Sequence, residues 1–534
     1  FREWFQFGEN PGDQVTVLGS TQRQPTFDGQ LNFIGDVIFN ATGNLYGDAG
    51  GTGNSEFLLN PNEGGIFGDG NITKTGNGNL RFYNNLNQWT GDLDIQDGFV
   101  GIQSWQTSMF EPTGKIYFGD PLGVDTTTIQ MRIEQRFGNS TTGLDTGFQT
   151  SEISRDMIVR DGLAQEVRIA LGYSPETYLT FSGDFNVGSG SKVGGVGVGI
   201  NQVRLYLEDT TGVDGSLTGH QQHDVLAFTG NLTGDNNILL DSNEGGSVND
   251  DANDQFTTFL FSGDNSGFTG RLTIGPEAGT GTNNFDRDDN EIFRAGSSTA
   301  LSDANDVQIR NLATLQTGGN TLTIGNITTT DGTSTTGIYS FTSPTWAAGR
   351  QTTADLDAKA GQAINGTTGV ITATDYTPLG DSSAIIENAS ATPGTLRITQ
   401  STDGFWDAYF RDGVPDGAVG ENCAATPGSL SLDKLGTGKA VLTIFNDYTG
   451  TTTVTAGELQ VGTGGDGSWG TYTQGDRTID TASGFSASGA AGSTGTGDTI
   501  AAGGTLSGNG HIRGNAIVDS GTLAPGPSSS TYGP

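Results

Sequence analysis

Cysteine is nearly absent from this 534-residue chain: Cys423 stands alone, so no disulfide can close within one copy. A single thiol of this kind is a small buried hydrophobe or a link between copies. Basic residues are also few, 24 against 60 acidic ones, which gives a formal net charge of −36. They are scattered singly, whereas a nucleic-acid groove clusters Lys and Arg to neutralise phosphates. The same shortage argues against adhesion to an anionic membrane surface. No apolar run approaches the ~20 residues that a membrane-spanning helix needs. Long helical stretches are missing too, and the nearest candidate is residues 352–364.

Histidine is also rare, with three residues. His220 and His223, in His220-Gln221-Gln222-His223-Asp224, are the one pair that could approach a metal. Residues three apart on a strand point to opposite faces, so the pair reads as a polar loop; His511 stands alone. Neither a G-x-S-x-G elbow nor an H-E-x-x-H motif occurs. Asp and Glu are so common that no carboxylate pair stands out as a glycosidase site. The expectation is a protein that is not an enzyme.

Glycine, by contrast, is abundant at 87 residues, about twice ordinary usage. Together with plentiful Asn, Asp, Ser and Thr it is the vocabulary of many short strands joined by tight turns. Alternating apolar residues, as in Leu93-Asp94-Ile95, Leu272-Thr273-Ile274 and Leu459-Gln460-Val461, argue for strands and against disorder. The clearest signal is a repeated phrase. Residues 72–102 and 432–461 both contain Lys-x-Gly-x-Gly (Lys74, Gly76, Gly78; Lys434, Gly436, Gly438) and then aromatic-Thr-Gly. Counted from the last glycine (Gly91, Gly450), a β-branched residue stands at +4 (Ile95, Val454). A glycine follows at +7 (Gly98, Gly457) and a second β-branched residue at +11 (Ile102, Val461). One such unit cannot bury its own apolar face, so copies must stack on neighbours as a solenoid.

These two segments resemble the autotransporter-associated β-strand repeat of bacterial passenger proteins. Residues 259–275 resemble a weaker copy, with Phe268-Thr269-Gly270 in the aromatic slot, Ile274 at +4 and Glu277 in place of the +7 glycine. Residues 503–526 resemble the phrase that often follows such repeats. The resemblance implies a right-handed parallel β-helix. It also implies an adhesin, surface scaffold or matrix protein, secreted or held at the cell surface of a bacterium. The aromatic slots lie 179 and 180 residues apart, and Leu122 and Leu301 agree 33 residues after the first two. This spacing suggests three units of common ancestry: 21–225, 226–400 and 401–534, preceded by an N-terminal segment, 1–20. Residues 130–220 and 330–430 hold few landmarks and leave room for inserted β-sandwich modules. At 20–25 residues per turn the rod would have 20–25 turns and a length on the order of 100 Å. The chain starts at Phe1 without a charged or apolar leader and reads as a mature or trimmed product.

Three sets of site residues follow. Phe1, Trp4, Phe5 and Phe7 make the densest aromatic stretch, either a cap on the first turn or an assembly segment that docks on another copy. Acidic loops at 241–255 and 285–291 offer Asp250, Asp251, Asp254, Asp286, Asp288 and Asn290 as oxygen ligands for calcium. Trp406, in the polar setting DGFWDAYF, is a candidate stacking face for a glycan. Trp89 occupies the aromatic slot of the repeat and reads as structural. The leading expectation is an extracellular structural protein, the subunit of a self-assembling filament, sheath or matrix. A glycan-binding adhesin is the alternative, and a polysaccharide-degrading enzyme ranks third.

Overall fold

A computed structural model describes residues 5–19, 26–27, 29–42, 56–59, 65–83, 88–104, 113–123, 128–135, 149–163, 165–172, 177–190, 202–208, 222–243, 255–275, 289–309, 313–329, 384–388, 390–406, 408–413, 427–442, 446, 448–462, 473–474, 477–478, 493–508, 510 and 512–525. Among them there is no helix, and every strand pairing but one is parallel; the exception joins Thr473–Gln474 to Arg477–Thr478. The parallel strands form six stacked sheets, named A to F here in order of first appearance. Sheet A has four strands, from Phe5–Phe7 to Gln88–Trp89, and sheet B has nine, from Gln14–Gly19 to Gly267–Phe268. Sheet C has eleven, from Thr26–Phe27 to Ile327–Thr328, and sheet D has eight, from Gln149–Ile153 to Ala408–Phe410. Sheet E has six, from Thr321–Ile324 to Ala516–Val518, and sheet F has five, from Gly404–Trp406 to Thr522–Pro525.

The chain visits these sheets in a constant order around the axis, A-B-C early, D-B-C in the middle and D-E-F late, with a strand missing from some turns and only E and F strands described in the last three. The molecule is therefore a parallel β-helix with three faces: A then D on the first, B then E on the second, C then F on the third. Among the described residues the third face has sixteen strands, eleven in C and five in F, and these count the described turns. Stacked ~4.8 Å apart, sixteen turns give a rod of about 75 Å. This is fewer and longer turns than the sequence suggested, because the connections between faces vary widely in length and carry no periodic signal. The described part of 130–220 consists of strands such as Ile129–Gln135, Val167–Gly172 and Gln202–Glu208, which continue sheet C. It is β-helix and not an inserted sandwich.

Alternation puts every second residue inside, where stacked turns bring like positions together. On the second face the inward ladder runs Val37, Ile72, Leu93, Ile116, Met157, Phe185, Leu232, all buried. On the first face the rings of Phe181, Phe228 and Phe261 lie 4.8 and 5.2 Å apart in succession. Each such side chain is worth roughly 1.5–3 kcal/mol when fully buried.

The corner between the first and second faces is tied by side-chain oxygens. A residue at or just before the start of successive B strands accepts the backbone N–H of its counterpart one turn later: Asp36 from Asn71, Asn71 from Asp92, Asp92 from Lys115, at 2.8–3.0 Å. Above them Asp156 accepts from Asp184, Asp184 from Asn231 and Asn231 from Asp264, at 2.9–3.1 Å. Lys115 has no oxygen to pass on, and its Nζ pairs with the Asp156 carboxylate at 3.5 Å instead. Asp and Asn are favoured here because a short side chain can mimic a backbone acceptor.

Where a sheet stops inside the rod, its last strand keeps buried main-chain groups without a next turn to bond. A side chain meets each end. Sheet A ends at Gln88–Trp89, and buried Arg155 donates to Trp89 O and Gly91 O. Sheet B ends at Gly267–Phe268, and Asn305 Nδ2 donates to Phe268 O and Gly270 O at 2.9 and 3.0 Å. At the end of sheet C the Ile327 N–H is taken by Gln400 Oε1 at 3.2 Å, and at the end of D the Phe410 N–H by Asn446 Oδ1 at 2.8 Å. Replacing Asn305 by Leu should therefore cost about 2–4 kcal/mol, since two buried carbonyls lose their donor. Asp184→Ala, at an exposed corner, should cost only about 0.5–1.5 kcal/mol. Chemical denaturation of the two variants measures the difference, and equal costs would contradict the capping role.

Candidate functional site: a lysine clasp in each repeat

Lys74 lies in the strand Ile72–Thr75 on the inward row, paired in register with Phe39 below and Ile95 above. Lys434 repeats this in Leu430–Leu435, between Ile398 and Val454. Both side chains are fully buried. An ammonium in an apolar ladder must find acceptors, and here it turns to the corner between the second and third faces. Lys74 Nζ donates to Thr75 O at 3.0 Å, to Gly76 O, and to Asp97 O of the next turn at 3.1 Å. Lys434 Nζ donates to Leu435 O, Gly436 O and Ala456 O at 2.8, 3.0 and 3.1 Å. Each lysine thus clasps two successive corners.

The spacing of the repeat follows from this geometry. Gly98 and Gly457, the +7 glycines, directly follow Asp97 and Ala456 and have φ of +74° and +66°. A Cβ at Gly98 would lie 2.5 Å from Gly76 O and 2.9 Å from Lys74 Nζ; at Gly457 it would lie 2.5 Å from Gly438 O and 2.9 Å from Lys434 Nζ. Only glycine tolerates both the conformation and the approach. The aromatic slot is structural as well. Buried Trp89 donates its indole N–H to Gly70 O at 2.8 Å, and the Arg155 guanidinium stands 4.6 Å from its ring. Tyr448 is buried and shares a hydrogen bond with Thr452.

The weaker copy differs in two ways. It has no lysine clasp, and its Phe268 lies in sheet B on the second face. Trp89 lies on the first face and Tyr448 at the first-face position of its turn. The near-equal spacing of the three aromatics therefore does not place them at equivalent positions around the helix.

The sequence-derived site residues fall out as follows. Phe5 and Phe7 form the strand Phe5–Phe7, paired with Leu31–Phe33, and the Phe7 ring stacks on Phe33 at 5.0 Å. They line the interior of the first described turn; Phe1 and Trp4 lie outside the described residues. Trp406 is corrected: it is fully buried, in register with Leu442, and its indole N–H meets Gln400 Oε1 at 3.3 Å, so it has no face for a sugar. Asp250, Asp251, Asp254, Asp286 and Asp288 lie outside the described residues, as does Cys423, and of Asn290 only the backbone in Asp289–Ala295 is described. Their two connections do leave the third face and return on the first in consecutive turns. Among the described residues no group of three or more His, Cys, Asp or Glu is placed to hold a metal, and no helix is long and apolar enough to cross a membrane.

Burial pushes the Lys74 amine down to about 7, against the pull of the Asp97 charge, and the Lys434 amine down to about 8, against Asp403. Both folded values lie below the ordinary lysine value of 10.5. The unfolded chain therefore binds more protons between about pH 7 and 10.5, and the fold gains stability as pH rises through that window. Lys74→Met keeps the volume but leaves three carbonyls unmatched, and should cost about 2–4 kcal/mol. The variant should also lose its share of the pH slope, at most about 1.4 kcal/mol per pH unit. Denaturant titrations at pH 7 and pH 10 measure both effects, and a slope unchanged by the substitution would contradict the assignment.

The passenger-associated-transport-repeat family matches residues 72–100 and 432–461. Those spans contain both lysines, all six carbonyls they clasp and both +7 glycines. No curated protein matches the chain, and no solved structure does. The chain is thus a parallel β-helix that carries the passenger-associated-transport-repeat twice.

Proposed function

We propose that this chain is a structural protein of the bacterial exterior, secreted or held at the cell surface. In this reading it is a passenger-type rod whose copies associate into a filament, sheath or matrix. The observation that carries this reading is the use to which the repeat is put. Its lysines, glycines and aromatics are spent on main-chain groups of adjacent turns, so the repeat builds a stiff stack and not a reaction centre. The strong negative charge suits a solvated exterior scaffold and keeps rods apart until screened. The adhesin reading keeps one support, the long connections gathered between the third and first faces, such as the one from Ile327–Thr328 to Ala384–Glu387. It loses Trp406.

Electron microscopy of the secreted chain tests the proposal. Rods about 75 Å long, joined into regular filaments or sheets at physiological salt, are the expected result; isolated rods that bind immobilised glycans would favour the adhesin instead. Calcium held by the acidic segments 241–255 and 285–291 is part of the proposal. Chelation should then lower the melting temperature by a few degrees and loosen the assemblies. An unchanged melting temperature and unchanged assemblies would remove calcium from the account.

A further inference from the structure

The three faces of the rod differ on their outer sides. On the first face the outward residues Val225, Ile292 and Ile385 are buried, and on the third so are Phe99, Leu239 and Gln308. The second face is not covered in this way. Its outward row runs from Ile38 through Asp94 to Ile158 on sheet B, and from Thr323 through Arg397 to Thr453 on sheet E. These residues are only partly buried. A flat sheet face left bare along a rod offers a continuous surface to a flat partner.

Charge narrows the choice of partner. Each copy carries −36, yet the charges along this row are balanced. Asp94 is paired with Arg160 at 2.6 Å, and Asp433 with Arg397 at 3.5 Å. A balanced strip is where two acidic rods meet with least repulsion.

We propose that the second face binds the second face of another copy, with the two rods antiparallel; the inference rests on the reading above that copies associate. The order of residues along the row is complementary to itself. Thr233, also on the row, stands four turns from Asp94 on one side and four turns from Arg397 on the other. A two-fold axis at Thr233 therefore sets Asp94 of each copy opposite Arg397 of the other. Five turns out, the same axis brings the Thr73 hydroxyl to the Asp433 carboxylate, and six turns out it sets Ile38 opposite Thr453. Parallel rods would instead set Asp94 against Asp94 and Arg397 against Arg397, and like charges directly opposed are unfavourable. From Ile38 to Thr453 the strip is about 60 Å long and about 10 Å wide. Two such strips bury about 1,200 Å² together, the lower end of specific interfaces. The contact is isologous and closes at two copies, so it supplies the sideways contact of a sheath or matrix.

The test is sedimentation velocity of the full chain at about 100 µM and about 0.15 M salt. Three variants are compared with the wild type: Asp94→Lys, Arg397→Glu, and the double variant that exchanges the two charges. Circular dichroism and thermal unfolding report whether each keeps the fold. The wild type should sediment as a dimer or larger, each folded single variant should lose roughly tenfold or more in association, and the exchange should restore most of it. Association unchanged in both single variants would overturn the face and leave the broader reading intact. Loss in both without recovery in the exchange would overturn the antiparallel pairing. A monomeric wild type would overturn this inference and the association reading together, and glycan binding by that monomer, lost in Asp94→Lys, would give the face to a sugar.

Discussion

A parallel β-helix depends on one constraint: every main-chain carbonyl and N–H that the stack removes from water must meet a partner. Within a sheet the neighbouring turn supplies it. At corners and at sheet ends it does not, and each orphan left there costs about 1–3 kcal/mol. The unusual residues of this chain are found at those places. Lys74 and Lys434 satisfy three carbonyls apiece at the second corner. Asp and Asn satisfy one N–H per turn at the first. Arg155, Asn305, Gln400 and Asn446 close the sheets that stop short. The apolar ladders supply most of the driving force, but these contacts fix the register in which turns stack.

The buried charges are held by the same logic. Across turns on the outer side of sheet D, Arg294 donates to Gln316, Gln316 to Glu387, and Arg411 to the same carboxylate, all at 2.6–2.7 Å. This chain of polar groups spans strands that flank a long excursion between Ile327–Thr328 and Ala384–Glu387. On sheet C, Arg168 and Arg204 share Glu166, and Arg204 also pairs with buried Asp241. Breaking one member of such a network strands its partner, which is why a chain with few basic residues can hold them in place.

Much of the fold was legible because strand alternation is local: Leu93-Asp94-Ile95 states its own inward and outward sides. The repeat was legible for the same reason, through the fixed offsets from Gly91 and Gly450. The role of its lysine was on the page but contrary to habit. Ile72-Thr73-Lys74 and Leu432-Asp433-Lys434 put lysine on the inward parity, where a lysine is seldom expected to sit. Trp406 misled because its neighbours Asp403 and Asp407 suggest solvent, while burial is set by Leu442 one turn away and by Gln400. The sheet-closing residues were beyond sequence reading, since Arg155 meets carbonyls 64 and 66 residues distant and Asn305 meets them at 35 and 37. Turn length could not be read either, because connections between faces follow no period.

The most direct measurement is the titration of the six lysines by NMR of their ε-methylene carbons, in the native protein, alongside their reactivity towards an acylating reagent. If Lys74 and Lys434 clasp buried carbonyls, two of the six will titrate near pH 7 to 8 and resist acylation until the protein unfolds. If all six titrate near 10.5 and react at the rate of surface amines, the lysines are not inside the stack and the account of the repeat is wrong.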